Sequence, residues 1–83
     1  MRSIKEQHEE HERRELLRLL AWAGSSTVLA ELLEVTPQVV MGWVNRGRIS
    51  ATAAERVEAI TNGEFTKRML RPDVATWWSE QND

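Results

Sequence analysis

Apolar residues recur along the chain with the three- and four-residue spacing of amphipathic helices. A first helix is predicted to begin at Ser3, which has capping-box spacing, and to stop at Gly24. Its apolar stripe is confined to the second half and consists of Leu16, Leu19, Leu20 and Ala23. Continued backwards, the stripe meets Glu9, Glu12 and Arg13, so the first three turns have no core to face. We expect a solvated, charged extension in which Glu9 and Arg13 form a helical ion pair.

Four further helices and one short helical turn follow, each introduced by residues that favour a helix start. The predicted starts are, in order, Ser25, Thr36 with Pro37, Ser50 or the Thr52/Glu55 pair, Thr66 for the short turn, and Pro72 with Asp73. The fourth helix covers about 51–61 and stops at Asn62-Gly63. No stretch has the two-residue alternation of a strand. We therefore predict an all-α domain of four to five helices.

The second and third helices have the spacing of a helix-turn-helix. The two helices of that motif cross closely, which requires small or apolar side chains at fixed positions. When Ser26 is the first position of a twenty-residue unit, Ala30 is the small residue at the fifth. Apolar residues fill the fourth, eighth, tenth, fifteenth and eighteenth positions: Leu29, Leu33, Val35, Val40 and Trp43. Glu34 replaces the usual glycine at the ninth, at a cost of about 1 kcal/mol in a left-handed conformation. A generic helical bundle is the alternative.

The early exposed face of the third helix supplies the candidate base contacts. A recognition helix enters the major groove with its first turns, where its solvent-facing side chains meet base edges. The candidates on this face are Pro37, Gln38, Val39, Met41 and Gly42. Gln38 has the geometry to bond adenine through two hydrogen bonds, whereas Val39 and Met41 can touch a thymine methyl group. The alternatives are a solvated Gln38 and an oligomer contact for the two apolar side chains.

Phosphate contacts are predicted at the starts of the second and third helices and in the segment after the third. Hydroxyls and helix-terminal N–H groups favour an anion at the first two places, and side-chain donors favour it at the last. The predicted contacts are Ser25, Ser26, Thr27, Thr36, Asn45, Arg46 and Arg48. Lys67 and Arg68 lie further from the motif, and for them phosphate contact and simple solvation stay equally open.

The distribution of charge favours a nucleic-acid partner more than the total does. The chain has a formal net charge of −2. Between positions 36 and 73, however, the six cations Arg46, Arg48, Arg56, Lys67, Arg68 and Arg71 face four anions, Glu55, Glu58, Glu64 and Asp73, a local net of +2. A basic middle between acidic ends suits local phosphate binding with weak non-specific affinity.

Length and composition limit the other possibilities. A chain of 83 residues forms one domain near the lower size limit for a stable core, so we expect a homodimer or higher homo-oligomer. There are no cysteines, which fits a reducing, cytoplasmic setting. No apolar run is long enough to span a membrane. We divide the chain into a charged extension (1–15), the helix-turn-helix domain (16–76) and an acidic, Trp-containing tail (77–83).

Three stretches of sequence resemble a known family: GSSTVLAELLEVTPQVVMGWVNRGRIS, then AERVEAIT with NGEFT, then LRPD. Together with the preceding helix they cover about 16–76 and resemble the YdaS-like branch of the phage Cro/C1-type repressors. LRPD at 70–73, in its place after NGEFT, is the most specific piece. The resemblance implies a small lambda-repressor/Cro-like fold and prophage repressors that bind operator DNA as dimers or higher oligomers, some of them antitoxin-like. Pro37 and Gly42 stand where that family usually has polar reading side chains.

Other chemistry has weaker support. His8 and His11 have metal-ligand spacing, but a solvated charged face explains them better, and we predict no metal or cofactor. No nucleophile elbow or phosphate loop is present, so we predict no enzyme activity. Adjacent Trp77 and Trp78 point about 100° apart on a helix. We expect one to dock on the core and the other, beside the acidic Glu80 and Asp83, to lie at a subunit contact.

The leading function is therefore a sequence-specific transcriptional regulator, a prophage repressor that reads operator DNA with a recognition helix at about 37–46. One alternative is an excisionase-type DNA-bending protein, but a β-wing should then follow RGRI, where ATAAERVEAIT is helical in pattern. A second alternative is an antitoxin-like module that binds a protein partner through its N-terminal arm or its Trp tail.

Overall fold

The computed structural model describes residues 3–79, apart from the side chains of residues 5, 6, 8 and 79. Within these residues the chain forms six helices and no strand. The helices are α1 (Ile4–Ala23), α2 (Ser26–Leu33), α3 (Pro37–Arg46), α4 (Ala51–Ile60), α5 (Lys67–Leu70) and α6 (Ala75–Ser79). The predicted all-α class is confirmed, and α5 is the short turn that the sequence indicates.

Side-chain hydroxyls cap four of these helices at the predicted places. The oxygens of Ser25, Thr36, Ser50 and Thr66 each accept a hydrogen bond from the backbone N–H three residues on, at 3.1–3.3 Å. Each such cap stabilises its helix by about 1 kcal/mol. Ser50, rather than the Thr52/Glu55 pair, begins α4. The last helix starts at Ala75, slightly later than Pro72 and Asp73 suggest.

The core lies between the second half of α1, the α2–α3 pair and the helices that follow. Its members are Leu16, Leu19, Leu29, Ala30, Leu33, Val40, Trp43, Ile49, Ala53, Ala54, Val57, Phe65 and Leu70. Every small or apolar position predicted for the helix-turn-helix is in this core except Val35, which packs against it half-buried. The close crossing of α2 and α3 explains why Ala30 must be small.

No single helix among residues 3–79 is long and apolar enough to cross a membrane. The segments Glu9–Ala23 and Ser26–Leu33 reach the required length and composition only as a pair, and they bend by 90° at the break between them.

The expectation that the first three turns of α1 are solvated is wrong for the face that carries Glu12. Glu12 is only 1 % exposed, and Glu15 is also buried. Glu12 lies four residues before Leu16, so it continues the buried face of the helix one turn further. The carboxylate is tolerated there because Arg48 pairs with it at 3.1 Å. Glu15 pairs with Arg18 at 2.6 Å.

The predicted ion pair between Glu9 and Arg13 does not form in the described structure. The exposed Arg13 instead extends across to the end of α3, where its guanidinium occupies the space beside Gly47. A short helical ion pair is worth only a few tenths of a kcal/mol, so a modest competing contact redirects the side chain.

Trp43→Ala should lower the free energy of unfolding by about 3–5 kcal/mol, because it removes a buried indole from the core. Small domains have a total stability of about 5–15 kcal/mol, so a large unfolded fraction is expected. Urea denaturation measures the loss of stability. Trp22→Ala is the matched control, because Trp22 is exposed at the surface and its replacement should cost clearly less. Equal losses in the two variants would contradict the central place given to Trp43.

Candidate nucleic-acid interface

The turn between α2 and α3 adopts the geometry that a helix-turn-helix requires. Glu34 closes α2 in the left-handed region, with φ 58° and ψ 41°, at the position where glycine is usual. The Val35 N–H donates to the Ala30 carbonyl at 2.9 Å. Arg56 from α4 donates to the Leu33 carbonyl at 2.9 Å and lies 3.4 Å from the Glu34 carboxylate. These contacts offset the strain of a left-handed glutamate.

The predicted base contacts lie on one exposed face of α3. Pro37 and Gln38 are exposed, Val39 and Met41 are 42 % and 46 % exposed, and Gly42 is half-buried. Val40 and Trp43 on the opposite face anchor the helix in the core. The arrangement therefore presents one amide group and two apolar side chains to solvent from a helix that is fixed at its back.

The predicted phosphate contacts, apart from Arg48, lie at the starts of α2 and α3 and at the end of α3. Ser25 and Thr36 are helix caps whose hydroxyl oxygens accept backbone hydrogen bonds, which leaves each hydroxyl proton available for donation. Ser26, which follows Ser25, is half-buried. Thr27, Asn45 and Arg46 are exposed. All of these lie at the first turns of α2 and α3 or at the end of α3, as the sequence predicts.

Arg48 differs from the other predicted phosphate contacts because two carboxylates already hold it. Its Nε donates to Glu12 at 3.1 Å, and its Nη2 lies 3.6 Å from Asp73. Asp73 in turn accepts two hydrogen bonds of 2.8 Å from Arg71. Arg71 also donates to the Ile49 carbonyl at 3.0 Å. The result is a four-residue charged network that joins α1, the connection after α3 and the segment before α6.

The network shifts the pKa values of its two carboxyl groups in opposite directions. Burial raises the pKa of Glu12 above its ordinary value of 4.5, and the neighbouring Asp73 adds to the rise while Arg48 opposes it. The hydrogen bonds from Arg71 hold the pKa of Asp73 well below its usual range. Asp73 is therefore the more readily ionised of the two carboxyl groups, and Glu12 is charged only at a cost that Arg48 offsets.

Sequence reasoning missed this network, although one signal points to it. Glu12 occupies the register of the buried face of α1, four residues before Leu16. A carboxylate in that register requires a cation, and the sequence offers several. Nothing in the sequence indicates that the partner is Arg48, which lies 36 positions further along the chain.

Glu12→Gln should remove a pH dependence that the wild-type chain has. A carboxyl group whose pKa is higher in the folded chain than in the unfolded chain stabilises the fold while it is protonated. This stabilisation is complete at pH values below the unfolded pKa of 4.5, and it is lost as the pH rises through the pKa of the folded state. The wild type should therefore lose stability relative to Glu12→Gln as the pH rises from 4.5 towards neutrality. Urea denaturation of both proteins over this range measures the difference. A difference that does not change with pH would show that Glu12 titrates normally.

The two tail indoles separate as predicted, one in the core and one at the surface. Trp77 is 5 % exposed, whereas Trp78 is 46 % exposed. The Lys67 ammonium lies 4.5 Å from the Trp77 ring centre, and the Arg68 guanidinium lies 5.5 Å from that of Trp78. Arg68 also donates to the Trp77 carbonyl at 2.6 Å. These two cations therefore contact the tail.

Two of the expectations concern residues outside the described part of the chain. The acidic residues expected beside the indoles, Glu80 and Asp83, lie outside the described residues, as does the His8 side chain of the His8–His11 pair.

Comparison with known proteins identifies one family. The model of the family described as "Bacterial toxin YdaS" matches residues 16–79. This match confirms the resemblance to YdaS-like proteins over nearly the same part of the chain, and Glu12 and Arg13 precede it. No curated protein and no solved structure matches the chain.

Proposed function

The chain belongs to the YdaS family, and from the geometry of α2 and α3 we propose that it is a sequence-specific DNA-binding regulator of transcription. In this proposal α3 enters the major groove of double-stranded operator DNA, and the protein acts as a Cro-type repressor. Binding alone carries out this function, with no catalysis and no cofactor.

The observation that carries the proposal is the exposed early face of α3. Val39 and Met41 lie on the surface of a helix whose other side is fully anchored, and apolar side chains gain nothing from contact with water. Thymine methyl groups in the major groove offer apolar partners of suitable size. Gln38 lies on the same face and has the two-pronged amide that recognises adenine.

Groups around this face support contact with the duplex backbone. Ser25 and Thr36 place capping hydroxyls at the starts of α2 and α3, where backbone N–H groups and the helix dipole favour an anion. Asn45 and Arg46 lie exposed at the other end of α3. Such contacts fix the register of the protein on DNA, while Gln38, Val39 and Met41 supply the sequence preference.

The helix α4 weighs against the excisionase-type alternative. A DNA-bending protein of that class needs a β-wing directly after RGRI. Residues Ala51–Ile60 form a helix there, and its N-terminal Ser50 cap is fully formed. The DNA-facing surface proposed here therefore consists of helices and their caps.

A second candidate function is toxicity through a protein partner. The family description names a toxin. Val28 and Leu32, four residues apart on α2, are both exposed and apolar, which suits a protein contact. The two candidates differ in how substitutions on α3 would affect any growth inhibition that the expressed chain causes. If the chain acts through a protein partner, the inhibition would persist after substitution of the α3 face. If it acts through DNA, Gln38→Ala and Arg46→Ala together would relieve the inhibition. The antitoxin-like alternative differs from both, because the chain would then protect cells from a partner.

Gln38→Ala should relax the preferred base at one operator position, with a loss of about 1–3 kcal/mol at that base. The reason is that an alanine leaves the adenine edge without its two hydrogen bonds. Selection of bound fragments from random DNA, run with both proteins, gives the two sequence preferences. Glu31→Ala on α2 is a control at an exposed position away from α3. An identical selected sequence after Gln38→Ala would assign base reading elsewhere, and no enrichment by the wild type would overturn the proposal.

We also propose that the chain binds its operator as a homodimer or higher homo-oligomer, with Trp78 in the subunit contact. Trp78 is the exposed member of the indole pair, and its Nε1 donates to the Pro72 carbonyl at 3.0 Å, which fixes the ring at the surface. A second copy would cover this ring without disturbing Trp77 in the core.

Trp78→Ala should therefore lower the mass in solution while the fold persists, because the substitution removes a surface ring and leaves Trp77 in place. Light scattering gives the mass, and thermal unfolding checks the fold. Trp22→Ala, which removes another exposed indole, should leave the mass unchanged. A wild-type monomer, or equal masses for wild type and Trp78→Ala, would exclude this contact.

A further inference from the structure

A polar cleft lies between the first half of α1 and the C-terminal end of α3. Its lining residues are Glu9, Glu12, Arg13, Arg46, Gly47 and Arg48. We propose that this cleft holds a backbone phosphate of bound DNA between the guanidinium groups of Arg13 and Arg46. The inference rests on the proposed function and adds a contact from α1, outside the helix-turn-helix and before the residues that the family match covers.

Gly47 makes room for Arg13 in the cleft. This glycine closes α3 with a φ of 79°, a left-handed conformation that L side chains rarely adopt. A Cβ atom at this position would lie 2.5 Å from Nη2 and 2.8 Å from Cζ of Arg13. The guanidinium therefore occupies the space that a side chain would fill, directly at the end of the proposed recognition helix.

Arg46 approaches the same region from α3 itself. Its Nη1 lies 3.3 Å from where a Cβ of Gly42 would be, so the side chain folds back along its own helix. Gly42 belongs to the proposed DNA-facing surface. The Arg46 guanidinium therefore lies about one turn before the end of α3, the Arg13 guanidinium lies beside Gly47 at that end, and both residues line the same cleft.

The charges around the cleft leave these two arginines available. Arg13 and Arg46 have no hydrogen-bond or ion-pair partner among the described residues, whereas Arg48 is held by Glu12 and Asp73. Glu12 is in this way neutralised inside the protein and is not a competitor. Glu9 also lines the cleft as an exposed carboxylate and reduces its positive charge. The lining still carries three cations against two anions.

The donors of this arrangement suit a phosphodiester. Guanidinium groups bind phosphate oxygens through paired N–H donors, and two of them accommodate one phosphate from two sides. Phosphate contacts position a recognition helix by gripping the backbone beside the groove that the helix enters. The cleft lies at the end of α3, next to the face that carries the candidate base contacts.

Arg13→Ala is the test, with Arg14→Ala as the matched control. Arg14 is also an exposed arginine, and the two side chains point about 100° apart on α1. Affinity for the selected operator is measured at several salt concentrations. Arg13→Ala and Arg46→Ala should each weaken binding to all sequences alike. Each should also lower the slope of log affinity against log salt by about one for every phosphate that is no longer bound, or about two in a dimer. Arg14→Ala should leave the slope unchanged.

Two further measurements separate the loss of a phosphate contact from a loss of stability. Thermal unfolding should be the same for Arg13→Ala and wild type, because Arg13 has no partner to lose within the described structure. Arg13→Lys, which keeps the charge, should restore most of the salt slope. An unchanged slope in Arg13→Ala, with a lower one in Arg46→Ala, would overturn the Arg13 contact and leave the proposed function standing. A wild-type chain that binds no DNA would overturn both.

Inorganic phosphate separates a DNA contact from a free-anion site. If the cleft binds DNA phosphate, we expect inorganic phosphate to raise the melting temperatures of wild type and Arg13→Ala equally, through general salt effects. A phosphate-dependent rise that Arg13→Ala abolishes, together with an unchanged salt slope for DNA, would assign the cleft to a free anion and overturn the proposal.

Discussion

The carboxylate of Glu12 lies in the interior of the protein, and its need for a cation determines how three parts of the chain are arranged. A buried charge without a partner is very costly, so the contact with Arg48 cannot be given up cheaply. Asp73 approaches the same guanidinium from the other side and is itself held by Arg71. A large rotation or translation of α1 would separate Glu12 from Arg48 and leave a buried carboxylate without its partner. This contact, together with the core packing of Leu16 and Leu19, sets the position of α1 relative to the helix-turn-helix and the cleft between them.

This requirement changes the part that each arginine plays in the proposed complex. Arg48 has the spacing of a phosphate contact in the sequence, but the fold already places it against two carboxylates. By neutralising Glu12 it removes a negative charge that would otherwise repel the duplex. The proposed backbone contacts at this end of α3 then fall to Arg46 and, from α1, to Arg13. The first turns of α1 carry no apolar stripe, but through Glu12 they contribute to the fold, and through Arg13 they contribute to the proposed DNA contact.

Structural features that depend on neighbouring residues were predicted from the sequence, whereas contacts between distant residues were not. The caps at Ser25 and Ser50 follow from local chemistry and are found where expected. The burial of Trp43 follows from the regular spacing of the helix-turn-helix, as does the left-handed Glu34. The exposure of the candidate base contacts was predictable for the same reason, since helical spacing alone separates the exposed face of α3 from the buried one. The environment of Glu12 was not, because helical periodicity marks the buried face only through apolar residues.

Gly42 within α3 and Gly47 at its end bear on both the sequence preference and the affinity of the proposed complex. Gly42 has no side chain that could contact a base, so this helix has fewer groups with which to distinguish bases. The same absence of a side chain lets Arg46 lie back along α3, and Gly47 admits Arg13 beside it. In the proposed complex, α3 therefore makes fewer base contacts, and the missing side chains leave room for guanidinium groups next to the duplex backbone. Because backbone contacts carry no sequence information, the discrimination in the proposed complex falls on Gln38 and its apolar neighbours. Such a protein should have a short sequence preference in each half-site.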